Sequence, residues 1–378
     1  MAAAAVGELV ASLVAINSVN PDLVPGGAGE AAIADFVARW LAEAGLEVAV
    51  DEPAPGRPSV VGVARGTGGG RSLMLNAHTD TVGVEGMERP HEPRVRDGRL
   101  YGRGAYDMKG SLAAVMLAAA RWVHAPGRGD VIVTAVADEE HASIGCQSVL
   151  RGWRADAAIV TEPTGLRVCV AHKGFVWVDL ETRGRAAHGS RPQEGLDAIV
   201  KMGPLLTGLA RMESALARRP HHLVGAPSVH ASLIEGGQEL SSYPERCLLR
   251  VERRTVPGEH ADGVRGEFEA LVADARAADA DLHVDLRMGL VRGPFEVGPE
   301  EDVVATLRRR VEAKTGRPAE VYGDTPWMDA ALLQAAGIPT VVFGPGGEGA
   351  HALVEWVSLD DVAACADVLH AVAEDFCG

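Results

Sequence analysis

The sequence predicts an α/β protein whose catalytic domain, built on a mostly parallel central sheet, is interrupted by an inserted α+β domain. Short apolar strands alternate with amphipathic helices in the first 173 residues and again near the C-terminus. Such alternation is typical of a largely parallel sheet covered by helices on both faces. Between these parts the order is β-α-β-β-α-β, which indicates a ferredoxin-like unit. We therefore predict a catalytic domain over 1–173 and 289–378 and an inserted domain over 174–288.

The elements of the first part follow from the spacing of its apolar residues. The N-terminal segment "MAAAAVGELVASLVAI" contains Glu8 and lacks a basic start, so we interpret it as an amphipathic helix and not as a signal peptide. Residues 30–44 repeat apolar side chains at helical spacing and stop at Gly45. Strands are predicted at "LEVAVD", "SVVGVARG", "SLMLNAH", 131–138 and 157–163, and a helix at "GSLAAVMLAAARWV".

The inserted part differs from the rest of the chain in its pattern of apolar and polar residues. Half-exposed strands are predicted at "GFVWVDLETRG", "APSVHASLIEGG", "RCLLRVERRTV" and "LHVDLRMGL", where apolar and polar residues alternate. Long amphipathic helices are predicted within "LDAIVKMGPLLTGLARMESALA" and "EHADGVRGEFEALVADARAAD". After residue 288 we predict a helix over 300–315, a helix at "WMDAALLQAAG" and a strand at "PTVVFGP".

Composition and charge exclude several classes of function. The chain has 378 residues, of which 47% are hydrophobic, enough to bury a sizeable core. Its net charge of −16 argues against nucleic acid or an anionic membrane as the main partner. No run reaches the roughly 18 uninterrupted apolar residues of a membrane span. The five cysteines show no C-x-x-C pairing, so we expect reduced thiols and a cytoplasmic protein.

Imidazole and carboxylate side chains follow the predicted strands. They occur in "LNAHTD", "GRGAYDMKG", "ADEE", "VTEP" and "GPGGEGAH". Ligands of open α/β sheets bind outside the carboxyl ends of the strands, so these segments can converge on one crevice. Each such residue alone is usually a helix cap, a solvated turn or a structural histidine, and only the joint placement favours a metal site. The set consists of His78, Asp107, Glu140, Glu162 and His351, which suits one or two ions such as Zn²⁺, Co²⁺ or Mn²⁺.

Two adjacent glutamates, Glu139 and Glu140, follow the apolar run 131–136 within a few residues. Neighbouring side chains of a strand face opposite sides, so both glutamates can face one site only if the chain leaves the strand there. If both glutamates serve one site, a turn is required at this point.

Seven segments match one known family in their order along the chain. They are "SVNP", "LNAHTDTV", "YGRGAYDMKGSLAA", "ADEEHASIG", "VTEPT", "GRAAHGSRP" and "GPGGEGAHALVEWV". The chain thereby resembles the M20 metallopeptidase family, which includes acetylornithine deacetylase, succinyl-diaminopimelate desuccinylase, glutamate carboxypeptidases and aminoacylases. The resemblance covers nearly the whole chain. It implies a metal-dependent, exopeptidase-like catalytic domain, an inserted domain that acts as a lid and dimer contact, and a homodimer.

The resemblance implies a metal-binding role for each member of the strand-end set. His78 and Glu162 would bind a first ion, and Glu140 and His351 a second. Asp107 would bridge the two ions and be followed by a cis peptide bond. The cofactors implied are two divalent ions, zinc first, with cobalt or manganese as alternatives.

The resemblance also implies roles for residues that do not bind metal. Glu139 would be the general base, and Asp80 would orient the His78 imidazole. His188, in "GRAAHGSRP", would stabilise the oxyanion, often from the partner subunit, although a plain surface histidine stays an alternative. In "ERRTVPGE" the family register selects Arg254 for the substrate carboxylate, with a surface salt bridge as the equal alternative.

The function implied is a hydrolase that cleaves the amide bond of a small N-acyl amino acid, through a metal-activated water and Glu139. A carboxypeptidase or dipeptidase acting on short peptides is the alternative among enzymes. A catalytically inactive binding protein would lack a ligand or the base, and neither is missing. Substrate choice stays open because the chain departs from the family at three places: Ser241 replaces an asparagine, Ala331 an arginine, and His141 a small or acidic residue.

Overall fold

The computed structural model describes residues 3–378, which divide into two compact units. One unit comprises Met1–Val170, Val297–Tyr322 and Met328–Gly378, and the other comprises Ala171–Glu296 and Gly323–Trp327. The second unit is therefore inserted into the first along the chain. The first two residues of the predicted N-terminal helix lie outside the described part. Whether the two units act as catalytic domain and lid stays a prediction.

The N-terminal half of the chain supplies most of the first unit. Its elements are α1 (Ala3–Val14), α2 (Ala31–Glu43), β1 (Glu47–Asp51), β2 (Ser59–Ala64), β3 (Leu73–His78), β4 (Arg94–Arg96), β5 (Arg99–Tyr101), a π-helical turn (Ala105–Lys109), α3 (Gly110–His124), β6 (Val131–Val136), α4 (Ile144–Gly152), β7 (Ala157–Val160) and β8 (Val168–His172). Strands β2, β3 and β6 are buried at every position, which explains why they read as continuous apolar runs.

The inserted unit has the predicted β-α-β-β-α-β order. Its elements are β9 (Gly174–Arg183), α5 (Ala198–Leu216), β10 (Ser228–Gly236), β11 (Arg246–Thr255), α6 (Ala261–Ala278), β12 (His283–Arg292) and β13 (Phe295–Glu296). Strands β9 to β12 form an antiparallel sheet in the order β10-β11-β9-β12, which is ferredoxin-like. Its core is built from alternate strand residues such as Val178 and Leu249 and from helix residues such as Met202 and Phe268.

Except for Gly323–Trp327, the last part of the chain from Val297 onward belongs to the first unit. It contains α7 (Asp302–Thr315), β14 (Val321–Asp324), α8 (Ala330–Ala335), β15 (Thr340–Val342), β16 (Gly347–Glu348), β17 (Trp356–Ser358) and α9 (Leu359–Cys377). Helix α8 begins three residues after the start of the predicted "WMDAALLQAAG" helix. Asp329 is the residue that immediately precedes its first turn.

The central sheet of the first unit is mixed. Its order is β1-β2-β6-β3-β7-β15-β8, with β13 and β14 paired to β8. The four strands β6, β3, β7 and β15 are parallel, as predicted. The flanking pairs β1–β2, β2–β6 and β15–β8 are antiparallel. The carboxyl ends of the parallel strands therefore meet at one edge, where the functional residues were expected.

A small second sheet in the first unit has the order β16-β17-β5-β4. Its strands have two or three residues each, too few for a pattern of apolar residues to predict them. Strand β17 pairs with β5, so the segment that precedes the π-helical turn is joined to the segment that follows His351. This sheet brings two sequence-distant parts of the site together.

Candidate metal centre

Parallel strand ends position three of the predicted ligands. His78 is the last residue of β3, and Glu162 follows β7 by two residues. Glu140 comes shortly after β6, whose last residue, Val136, pairs with His78. Asp107 lies on the π-helical turn, whose backbone is kinked and non-helical at Asp107 and Met108. The peptide bond between these two residues is cis, as the resemblance implies. Neighbouring parallel strands thus deliver their terminal side chains to one place.

The structure brings all five predicted ligands into one cluster. The two oxygens of Asp107 face different imidazoles: Oδ1 lies 3.0 Å from Nε2 of His78, and Oδ2 lies 3.4 Å from Nε2 of His351. Glu162 Oε1 is 3.7 Å from the same nitrogen of His78, and Glu140 Oε2 is 3.1 Å from that of His351. Asp107 therefore stands between two groups of ligand atoms, as a bridging carboxylate must.

The tautomer of His78 suits a metal ligand. Its Nδ1 lies 3.0 Å from the main-chain oxygen of Asp80, which can only accept a hydrogen bond. The proton of the neutral ring is then on Nδ1, and the lone pair of Nε2 faces Asp107 and Glu162. The carboxylate of Asp80 is farther away, 3.6 Å from Nδ1. Asp80 thus orients the imidazole mainly through its backbone.

Charge crowding shifts the protonation of the two histidines. Burial opposes the charge on His78, but the carboxylates of Glu162, Asp107 and Asp80 outweigh burial and raise its pKa well above the usual value. Hydrogen bonds to Asp107 and Glu140 raise the pKa of His351 to about 10. Burial would raise the pKa of Asp107, yet the hydrogen bonds from both histidines lower it.

The pKa values of the glutamates in the cluster are shifted upward, in the opposite direction to the pKa of Asp107. Burial, followed by the charge of Glu162, raises the pKa of Glu139 well above its usual value. Burial also raises the pKa of Glu162 and of Glu140. Nearby Asp329 is fully buried and has a pKa raised to about 6. Without a cation, these carboxylates retain protons that they would otherwise release.

The donor set fits two divalent ions. Two sets of candidate donor atoms share His78, and within each set the atoms lie within 4.8 Å of one another. One set adds Asp107 and Glu140; the other adds Glu162 and Glu139, although the resemblance implies that Glu139 is the base and not a ligand. Over residues 3–378, no arginine or lysine forms an ion pair with these carboxylates, and Oε1 of Glu140 is buried without a hydrogen-bond partner. A set of two imidazoles and three carboxylates matches zinc and similar ions.

The predicted turn at the two glutamates is present and is held by buried carboxylates. Asp138 has a left-handed backbone conformation, with φ of 67°. The amides of Glu139 and Glu140 donate to Oδ1 and Oδ2 of Asp80, at 3.1 and 3.2 Å. Asn20 joins Asp80 to Asp138 through its side-chain amide. The turn lets Glu140 approach His351 while Glu139 stays near His78.

Sequence reasoning missed the charged residues behind this turn. Arg57 is 6% exposed and donates two hydrogen bonds to the fully buried Glu30, at 2.6 and 2.8 Å. It also donates to Asp138 at 2.8 Å and pairs with Asp22. The segment "SVNP" pointed to Asn20, but nothing local marks Glu30 or Arg57, since their partners are remote in sequence.

Glu355 was also missed, and it holds the turn that carries Asp107. Its buried carboxylate accepts from the amides of Gly104, Tyr106 and Asp107 at 2.9–3.0 Å and from Arg103 at 2.7 Å. Burial raises the pKa of this carboxyl. Its position in "HALVEWV", a few residues after His351, was the available signal.

In the inserted unit, His188 and Ser241 lie on adjoining exposed loops. The amide of Gly189 donates to the main-chain oxygen of Ser241 at 2.7 Å. The amide of Ser190 donates to Nδ1 of His188 at 3.1 Å, so a neutral ring carries its proton on Nε2. His188 therefore presents an N–H donor, the form that an oxyanion requires.

The two neighbouring arginines of β11 have different environments. Arg253 is fully buried, where it forms ion pairs with Glu259 and Glu267 at 2.7 and 2.9 Å. The side chain of Arg254 is 21% exposed and forms an ion pair with Glu252 at 3.7 Å, the surface salt bridge named as the alternative. It also donates to the main-chain oxygen of Thr325 at 2.5 Å and lies 5.6 Å from the Phe175 ring centre. Arg253 is thus committed to its own unit, while Arg254 retains donors for another anion.

A further group of metal-type side chains lies in the inserted unit. Nε2 of His221 and Nε2 of His222 lie 3.6 and 3.9 Å from the two oxygens of Glu296. The amide of Leu223 donates to Nδ1 of His221 at 3.3 Å, so the neutral ring keeps its proton on Nε2. That nitrogen then carries a proton and no lone pair for an ion, and we assign no metal here.

Comparison with known proteins identifies relatives of this chain among metallopeptidases and deacylases. The family model described as peptidase family M20/M25/M40 matches residues 74–375. An acetylornithine deacetylase of Myxococcus xanthus is 31% identical over 90% of this chain and 87% of its own. An N-formyl-4-amino-5-aminomethyl-2-methylpyrimidine deformylase of Bacillus subtilis is 28% identical over 87% of this chain and 85% of its own.

The fold also has solved counterparts. A dinuclear metal-binding peptidase of the M20 family from Bacillus subtilis superimposes with a TM-score of 0.75 at 15% identity, covering 99% of this chain and 98% of its own. The chain carries candidate ligand groups for two metals at strand ends of this fold. It therefore belongs to peptidase family M20/M25/M40 and is a metallohydrolase that acts on amide or peptide bonds.

Proposed function

We propose that the protein is a deacylase that removes the acyl group from a small N-acyl amino acid. The observation that carries this proposal is the position of Glu139. It lies beside the ligand groups, yet its carboxyl has no ion pair or side-chain hydrogen bond within residues 3–378, whereas Glu140 is paired with His351. A free carboxyl beside the ions suits a base. The curated relatives with a deacetylase and a deformylase name support deacylation over peptide cleavage.

Glu139 supplies the proton transfers of the proposed reaction. When bound, two divalent ions would acidify a water and polarise the scissile carbonyl. Glu139 accepts the proton of the attacking water and gives it to the leaving amine. Burial and then the charge of Glu162 raise the pKa of Glu139, so this carboxyl holds a proton more strongly than an exposed glutamate does. Zinc is our first choice of ion, with cobalt or manganese as alternatives, because the ligands are imidazoles and carboxylates.

Groups of the inserted unit supply substrate recognition in this proposal. Arg254 binds the free carboxylate of the substrate with a planar pair of N–H donors. Nε2–H of His188 donates to the oxyanion that forms at the carbonyl carbon. Ser241, on the loop adjoining His188, contributes to the choice of substrate in place of the family asparagine.

We also propose a cytoplasmic homodimer. All five cysteines are free and buried, which suits a reducing compartment. Strand β10 is an edge strand whose residues are mostly exposed, including Leu233 and Ile234, and exposed Ile199 and Val200 lie on α5. Such an edge is suited to pairing with a second copy. Sedimentation that gives only a monomer in a fully active sample would remove the proposal of a homodimer.

Among the described helices, none combines the length and apolar content needed to cross a bilayer.

A substrate panel tests the proposed activity. Purified protein is assayed with N-acetyl, N-formyl and N-succinyl amino acids and with dipeptides, each with Zn²⁺, Co²⁺ or Mn²⁺ added separately. We expect kcat/KM for at least one N-acyl amino acid to exceed that for every dipeptide. Preferential cleavage of dipeptides would make the protein a peptidase, and no hydrolysis with any ion would leave only the inactive binding protein.

A further inference from the structure

Asn20 is a fully buried amide that the proposed chemistry does not yet use. Its Nδ2 donates to Oδ2 of Asp80 at 2.8 Å and to Oδ1 of Asp138 at 2.9 Å. Its Oδ1 accepts from the amide of Asp22 at 2.9 Å, and its own amide donates to the main-chain oxygen of Thr81 at 2.9 Å. Every polar atom of the side chain is engaged, so its two N–H bonds can face only the two carboxylates.

The two carboxylates that Asn20 joins hold opposite ends of one turn. Asp80 accepts from the amides of Glu139 and Glu140. Asp138 accepts from the amide of Ile144 through Oδ2, at 3.3 Å, and its main-chain oxygen accepts from the amide of Ser143 at 2.5 Å. The direction in which the two glutamates point therefore depends on how Asp80 and Asp138 are placed relative to each other.

Only a neutral group with two protons suits the position between these carboxylates. Both are fully buried, and an unpaired buried carboxylate is strongly unfavourable. Arg57 already compensates Asp138. Among residues 3–378 no arginine or lysine lies within ion-pair distance of Asp80, although the charge of buried Lys109 acts on it from farther away. The amide of Asn20 is the side-chain donor within hydrogen-bond distance of Asp80 there. An aspartate at position 20 would have the same shape but would bring a third carboxylate.

We propose that Asn20 is a positioning residue that joins Asp80 to Asp138 and thereby keeps Glu139 directed at the reacting water and Glu140 directed at the metal. This proposal rests on the proposed function for the role of Glu139. Loss of such a supporting contact typically lowers metal affinity or activity about 10- to 100-fold. It does so through the geometry of the turn, with no direct contact to substrate.

The test combines kinetics with metal binding. Asn20→Ala and the isosteric Asn20→Asp are compared with Asn76→Ala, which removes a buried amide whose side chain donates to Thr134 on neighbouring β6. The measurements are kcat and KM on the best N-acyl substrate, and Zn²⁺ affinity in competition with a chromophoric chelator. Asn20→Ser, whose single hydroxyl proton can serve only one carboxylate at a time, replaces Asn20→Ala if that variant does not fold.

We expect both Asn20 variants to lose about 10- to 100-fold in kcat and in Zn²⁺ affinity, with KM changed less than about threefold and Asn76→Ala near wild type in all three. In a Glu139→Gln background assayed at saturating Zn²⁺, Asn20→Ala should lower kcat far less than in the wild type, because the base that it positions is already gone, while Zn²⁺ affinity should still fall through Glu140. Losses that multiply in the double variant, or unchanged Zn²⁺ affinity in Asn20→Ala, overturn the proposal. Should the wild type hydrolyse no substrate, the proposed function fails, and the Zn²⁺ affinities alone decide the role of Asn20.

Discussion

At the scale of single residues, Glu139 and Glu140 are adjacent in the chain but face different partners. The left-handed conformation of Asp138 and the two amide hydrogen bonds to Asp80 turn the chain between them. Glu140 then lies 3.1 Å from His351, and Glu139 lies beside His78 and Glu162. This difference in surroundings is the basis of the proposal that Glu140 binds a cation and Glu139 exchanges protons.

Substituting each glutamate separately by glutamine distinguishes these two roles. Glu139→Gln should lower kcat by about 100- to 10,000-fold, because the amide cannot accept the proton of water. Its content of bound zinc should stay at the wild-type value. Glu140→Gln is the matched control and should lose bound metal. Zinc content by mass spectrometry and kcat are the measurements; a Glu139→Gln enzyme of near-normal kcat contradicts the assignment of the base.

Arg254 should determine selectivity for a free carboxylate. Arg254→Ala should lower kcat/KM roughly 30- to 1,000-fold on the acid substrate and far less on the corresponding neutral amide. The matched control is Arg250→Ala, since Arg250 lies on the same face of β11 and pairs only with Glu235 in the described structure. Arg253→Ala is unsuitable because it would leave Glu259 and Glu267 without their buried partner. Equal losses on acid and amide would make Arg254 structural.

At the scale of elements, the parallel strands could be predicted from the sequence. The hydrogen bonds that hold the turns carrying the predicted metal ligands could not. Runs such as 131–136 are apolar because β6 is buried on both faces, and that pattern is local. The bond from Asn20 to Asp138 spans 118 residues, and that from Tyr106 to Glu355 spans 249. No spacing rule connects such pairs. The ligands were recognisable through motifs, and Glu355 lies within one of those motifs, whereas Glu30 and Arg57 become visible only in the folded chain.

The π-helical turn that carries Asp107 depends on Glu355. Glu355→Ala leaves Arg103 and three backbone amides without their buried acceptor, so the free energy of unfolding should fall by about 3–5 kcal/mol. Glu348→Ala, an exposed change in the same small sheet, should alter it by less than about 0.5 kcal/mol. Urea denaturation with a chelator present measures both. Equal stability of the two variants would show that the turn does not need this carboxylate.

At the scale of the whole molecule, the metal centre should make stability depend on pH. His78, His351, Glu139 and Glu162 all have a raised pKa in the metal-free fold. Each therefore contributes stability at low pH that is lost as pH rises through its folded-state pKa. Asp107, with its lowered pKa, contributes a constant amount above about pH 4.

Metal binding replaces the protons that these groups release. The Tm of the chelated protein should fall between about pH 5.5 and about pH 8, and the Tm gained on adding zinc should grow over the same interval. Calorimetric scans in matched buffers measure both quantities. A chelated protein whose Tm is flat or rises across this interval would contradict the charge crowding described for the cluster.

Dependence of hydrolysis on a divalent ion is the central claim, and removal of metal tests it most directly. The protein is dialysed against a strong chelator, its metal content is verified by mass spectrometry, and its activity on the best N-acyl amino acid is measured before and after Zn²⁺, Co²⁺ or Mn²⁺ is added. We expect hydrolysis to disappear on dialysis and to return with at least one of these ions, because the buried carboxylates and imidazoles need a cation between them. Full activity in a sample verified to be free of metal would contradict the account.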